Sequence, residues 1–226
     1  MLNIGHVATA VAVAFGLAPG STGQDMPTDA EVRAFLSRPE ASQIVAELDK
    51  GYEKWVESTV RIVASADTRL NSALLQLQAD ISGVRRLFVR GPGGVTMQRY
   101  ADTMVINIQW VKRISECDAI AATAHELSHD RNDFARTLLI AFNKVLSDRT
   151  KQELYEKLEE AADQRAAILL AARGFDPSIL IAALAKSLTA TAWRSNLRLQ
   201  NISTFIQSRP LRMDKPSATC SGTIPK

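Results

Sequence analysis

Histidine is almost absent from this chain, with three in 226 residues, and cysteine is rarer still, with two. Aromatic residues make up 6%. The shortages exclude whole chemistries. No histidine follows His129, so a metal site built on His125 and His129 must take its third ligand from a carboxylate or a cysteine. The two cysteines, Cys117 and Cys220, permit one disulfide or two free thiols. A large charge of one sign is also missing: 27 basic and 24 acidic residues leave a net +3. The densest basic spots, Arg85-Arg86 and Arg209–Lys215, read as ordinary surface, so nothing argues for nucleic acid as a partner. There is no internal repeat and no low-complexity linker. The longest apolar stretch, Ile4–Ala18, is short of the roughly 20 residues that cross a bilayer, so no integral span is expected in the mature chain.

What is present begins with that stretch. Residues 1 to 24 carry no Lys, Arg, Asp or Glu, and the apolar run is followed by small residues, Ser21 and Gly23 among them. This is the outline of a secretory signal peptide over residues 1–23, although the start lacks a basic residue. The remainder, residues 24–226, is long enough for one domain with a sizeable core. A leader of this kind implies a periplasmic or secreted protein, where a Cys117–Cys220 pair can bridge.

The chemistry lies in Ala124-His125-Glu126-Leu127-Ser128-His129-Asp130, one H-E-x-x-H. Residues i and i+4 share a helix face, so both imidazoles can grip one metal ion with Glu126 beside them to move protons. Ser115 and Asp118 make a capping box opening the helix, and the small residues Ala119 to Ala124 imply that it is buried. Cys117 lies about 12 Å back by helical rise, too far for a Zn–S bond of about 2.3 Å. The ligand is therefore sought in the acidic stretch Glu153–Asp163. At 100° per residue, Glu153, Lys157, Glu160 and Gln164 share a polar arc facing water. Glu159 and Asp163 share another with Tyr155, Ala166 and Leu170, which faces the core. Glu159 is then the expected third ligand. Asp163, one turn on, is expected to take the free N–H of a ligand imidazole and fix its tautomer.

H-E-x-x-H, then Glu159–Asp163 as E-x-x-A-D, then Gly174-Phe175-Asp176-Pro177 and a helix over Ile179–Leu188 resemble the HtpX-type and CAAX-prenyl-endopeptidase superfamily of zinc metallopeptidases. The resemblance covers roughly residues 85 to 190. It implies a zincin-like domain in which His125, His129 and Glu159 bind one zinc ion, Glu126 is the catalytic base, and the substrate is an exported protein or peptide. Many members carry a His-Pro followed by Arg after the last helices, where this chain has Ser208-Arg209-Pro210 and Arg212. Arg209 or Tyr155 is available in place of the missing histidine.

Elsewhere the pattern is mainly helical. Thr28–Glu31 is a capping box. Ile44, Leu48, Tyr52, Trp55, Val56, Thr59 and Val63 keep helical spacing, as do Leu70, Ala73, Leu74, Leu77 and Ile81. Val84–Arg90 and Thr103–Trp110 read as strands separated by a turn at Gly91–Gly94. The second is expected at the sheet edge beside the metal helix, with Asn107 and Gln109 lining a cleft for extended peptide. The expected fold class is α+β, mainly helical, with a small sheet. Two rival readings compete with the peptidase: a zinc-binding chaperone-like or assembly protein with little proteolysis, and a metal-free helical structural domain.

Overall fold

The computed structural model describes residues 26–39, 61–62, 73, 76–77, 85–90, 97–100, 103–129, 132–143, 146–187, 192–209, 211 and 220. The leader expected over 1–23, the turn at 91–94, and most of the helical stripe from Ile44 to Val63 lie outside them. The described elements run α1 (Asp29–Leu36), β1 (Arg61–Ile62), β2 (Arg85–Arg90), β3 (Met97–Tyr100), β4 (Thr103–Asn107), α2 (Ile108–Val111) and α3 (Glu116–Ser128). They continue with α4 (Asp133–Phe142), α5 (Asp148–Ala172), α6 (Ser178–Ser187) and α7 (Ala192–Ser208). Among the described residues the protein is thus mainly helical, with one small sheet. No helix among the described residues is long and apolar enough to cross a membrane.

The chain divides into two compact units, Met1–Arg61 with Asp130–Leu158, and Ile62–His129 with Glu159–Lys226. In the first, Ile140, Leu154 and Leu158 form a small core covered by Met26, Leu146 and Tyr155. Thr28 caps α1 in the expected box with Glu31, and Asp29 on that helix pairs with Arg136 on α4.

The second unit holds β2, β3 and β4 whole and β1 from Ile62 on, and the strand order is β1-β2-β4-β3. β4 runs parallel to β2, with Leu87 opposite Val105, and antiparallel to β3, with Arg99 opposite Met104. Three expectations are corrected here. Arg61–Ile62 is a strand, so the helical reading of Ile44–Val63 does not hold at those two residues. The strand from Thr103 stops at Asn107 instead of Trp110, because the Asn107 side chain turns back to accept from Gln109 N (3.0 Å) and caps α2. And β4 is an inner strand: the edge belongs to β3, which was not foreseen from its sequence, Met-Gln-Arg-Tyr. Met104 to Ile108 are all buried, which an edge strand with one wet face would not allow.

The main core of this unit gathers Ala119, Ile120, Ala121 and Ala124 of α3 with Ala166, Ala167 and Leu170 of α5, Leu180 and Leu184 of α6, and Ile202 of α7. Alanine on several faces of α3 lets the neighbouring helices approach closely. Asp118 closes the capping box and also receives Lys186 Nζ of α6 at 2.9 Å on each oxygen. The far end of α5 is closed by Gly174 at φ 82°, with Gly174 N donating to Ala171 O and Phe175 N to Leu170 O. That is a Schellman ending, whose left-handed position suits glycine. It buries Phe175 and leads through Asp176-Pro177 into α6.

Candidate metal centre

All the chemistry-bearing residues singled out from the motifs fall in this second unit. α3 delivers His125 and Glu126, both buried. α5 delivers Glu159 and, one turn on, Asp163, which is 1% exposed. The inward arc of α5 holds for Asp163, Ala166 and Leu170, which are buried, whereas Glu159, with its side chain 41% exposed, and Tyr155 lie only partly inside. The polar arc is less uniform. Glu153 and Lys157 are exposed, but Glu160 is half-buried and accepts from Asn201 Nδ2 at 2.7 Å.

His129 departs from the simple i, i+4 picture. α3 ends at Ser128, and His129 is its C-cap, with extended backbone at φ −61°, ψ 128°. Its ring still meets that of His125, at a centroid separation of 4.9 Å and an interplanar angle of 84°. His125 Nε2 lies 3.3 Å from Glu159 Oε2, and His129 Nε2 lies 3.8 Å from Glu159 Oε1. One ligand atom from each of the three residues falls within 4.8 Å of the others, so the group can hold a metal ion. A tetrahedral ion with bonds of about 2.1 Å wants donor atoms about 3.4 Å apart, and the two histidine–Glu159 contacts, made to different carboxylate oxygens, are 3.3 and 3.8 Å. Two neutral nitrogens and one carboxylate suit a borderline divalent cation. The donors therefore fit the ion that the motif implies.

The other side of His125 is occupied too. Its Nδ1 lies 2.8 Å from Asp163 Oδ1, in contact although the ring N–H is out of line with that oxygen. Asp163 is held from behind by Arg198 of α7, whose Nε donates to Oδ2 at 2.6 Å and Nη2 to Oδ1 at 2.9 Å. Arg198 Nη2 also lies 3.2 Å from Glu159 Oε2. Sequence reading missed Arg198. A signal was present, because Arg198, Ile202 and Phe205 share a helix face and Ile202 is buried, which points the guanidinium inward. Arg209 instead stacks over the Phe205 ring at 5.0 Å, and Tyr155 belongs to the first unit.

Comparison with family models, curated proteins and solved structures returned no match for this chain. Its chemistry must be read from the residues alone.

Their electrostatics are those of a carboxylate cluster that favours positive charge at its centre. Burial disfavours the charged form of His125, but the carboxylates of Asp163, Glu159 and Glu126 outweigh it and push the imidazolium up to about 10. Partial burial works against Glu159 as an anion, yet His125, Arg198 and His129 hold it well below the usual carboxylate range. Asp163 is likewise held low against its burial by Arg198 and His125. Burial of Arg198 is overcome by Asp163, Glu159 and Glu126, so its proton is held more tightly than usual. Glu126 goes the other way. Burial and the neighbouring Glu159 raise it, despite the histidines and a hydrogen bond from Arg99 N to its Oε2 at 2.7 Å. Two carboxylates in one site are thus pushed apart, one kept as an anion and one made more basic.

Cys117, in the first turn of α3, is joined to Cys220 by a disulfide with a Cα–Cα distance of 5.6 Å. Of the two states left open by the sequence, this structure has the bridge.

Proposed function

We propose that the protein is a zinc-dependent metalloendopeptidase acting on exported proteins or peptides, in a zincin-like domain of the kind its motifs resemble. The observation that carries this reading is the convergence of ligand atoms of His125, His129 and Glu159 within 4.8 Å, with Glu126, its pKa raised chiefly by burial, the next residue to His125 on α3. His125, His129 and Glu159 would hold the ion. Zinc, when bound, supplies the Lewis acidity that activates water at neutral pH.

The chain's own residues do the rest. Asp163 and Arg198 orient the His125 ring and keep its Nε2 turned to Glu159. Glu126, whose proton affinity is raised by burial, takes the proton of the attacking water and returns it to the leaving amine. The Arg99 N–H fixes Oε2 of that carboxylate, which would leave Oε1 to take the proton. The disulfide supports an oxidising compartment, periplasmic or extracellular.

Zinc content and casein or peptide cleavage of wild type, Glu126→Gln and His125→Ala test the reading. The wild type should carry about one zinc and cleave, with a chelator abolishing cleavage. Glu126→Gln should keep zinc and lose about 100-fold or more in activity, and His125→Ala should lose both. Zinc without cleavage in the wild type would favour the chaperone-like reading, and no zinc at all would leave a helical structural domain.

A further inference from the structure

The second histidine of the site is held differently from the first. His125 lies inside α3, where the helical ladder fixes its backbone, whereas His129 stands just beyond the last helical residue. The last carbonyls of a helix have no partner within it, and the negative end of the helix dipole gathers there. In this protein the three final ones are all taken by arginine. Arg99 Nη1 donates to Leu127 O at 3.4 Å and to His129 O at 3.3 Å, and Arg165 Nε donates to Ser128 O at 2.6 Å. Arg99 comes from the edge strand β3 and Arg165 from α5, two residues past Asp163.

We propose that Arg99 and Arg165 are positioning residues for the metal centre: their guanidinium groups clamp the carbonyls of Leu127, Ser128 and His129, and so set where His129 presents its imidazole. The inference rests on the metal-binding reading above. Its physical basis is the mismatch between what a ligand needs and what a helix end provides. A metal ligand must be held to within about 0.5 Å, while a residue just past a helix C-terminus frays. A positive group close to a cation site weakens that site by repulsion. The two guanidiniums therefore gain their favourable energy from the carbonyl end of α3, and the result is a fixed position for the second ligand. Arg99 ties the same end of α3 to β3 once more, through its backbone N–H on Glu126 Oε2 (2.7 Å), so that base and ligand share one anchor strand.

The test uses the full-length chain with Arg99→Ala, Arg165→Ala and Arg99→Lys, none of which removes the Arg99 backbone N–H. Hydrogen exchange at the C-terminal turn of α3 is measured on metal-free protein, and Co2+ affinity and visible spectrum by titration. Each alanine variant should exchange faster at that turn, bind Co2+ about 10-fold more weakly, and show an altered absorption band. Arg99→Lys, which keeps a donor and a charge, should recover part of the loss, and it decides the matter if the alanine protein does not fold. Unchanged exchange would overturn the clamp. Faster exchange with wild-type Co2+ affinity and spectrum would overturn its role in placing His129. A wild type that takes up no Co2+ would instead sink the metal-centre reading, and the exchange data on metal-free protein keep the two failures apart.

Discussion

Asp163 is the residue on which the others depend. It is nearly inaccessible, touches His125 Nδ1 through one oxygen, and accepts two hydrogen bonds from Arg198. An anion so buried is tolerable only while paired. Its two partners make different demands. Asp163→Asn retains the shape but gives His125 a weaker acceptor, and metal affinity should fall about 10- to 100-fold, as measured by competition with a chelator. Wild-type affinity in that variant would remove Asp163 from the metal centre. Arg198→Ala leaves the carboxylate without its two charged donors. The expected cost is about 3 kcal/mol of stability, read from urea denaturation of the metal-free protein. A loss well under 1 kcal/mol would mean that His125 alone suffices to hold Asp163 in place.

Among the elements, α3 carries the most constraints: a cap at its start, a disulfide in its first turn, a candidate metal ligand in its last, and alanine between. The start is where a measurement is cleanest. Asp118 closes the capping box with Ser115 and receives Lys186 from α6. Burial alone would raise its pKa, but Lys186 and Ser115 bring it below the ordinary value. A carboxylate depressed in the folded state stabilises the fold above its unfolded pKa, near 3.9. That contribution disappears as pH falls through the lower folded value. Asp118→Asn should therefore cost about 1 kcal/mol at neutral pH, and its deficit should shrink as the pH is taken below about 4. A deficit that stays constant down to pH 2 would show that packing, not charge, makes Asp118 matter.

At the scale of the whole chain, the Cys117–Cys220 bridge closes a loop over a sequence separation of 103 residues, with α4, α5, α6 and α7 inside it. In the loop-entropy view a closure of that length contributes about 4 to 5 kcal/mol by restricting the unfolded chain. Cys117→Ser with Cys220→Ser should lower the unfolding free energy by an amount of that order, and reduction of the wild type should do the same. An unaltered denaturation midpoint would rule out this contribution. Cys220 is also part of the core beside Ala119 and Ile120, so some of the loss belongs to packing.

Local rules and periodicity made much of this protein legible from its sequence. Both capping boxes, the helix over the H-E-x-x-H, the inward arc of Glu159 and Asp163, and the glycine ending of α5 depend on residues within a few positions of one another. Interactions of that range are written into spacing. Tertiary structure decided the rest. Asn107 reads as a strand residue until its side chain caps α2. β3 has no alternation to reveal it, and becomes a strand because β4 offers it a ladder. The partners of Arg198, Arg99 and Arg165 stay hidden in the sequence, since the carboxylate and carbonyls their guanidiniums satisfy lie 28 to 37 residues away along the chain, too far for any local pattern to pair them. The group that could hold a metal ion was legible from helical faces. What holds each ligand in place is a set of long-range hydrogen bonds, and only the folded chain brings those partners together.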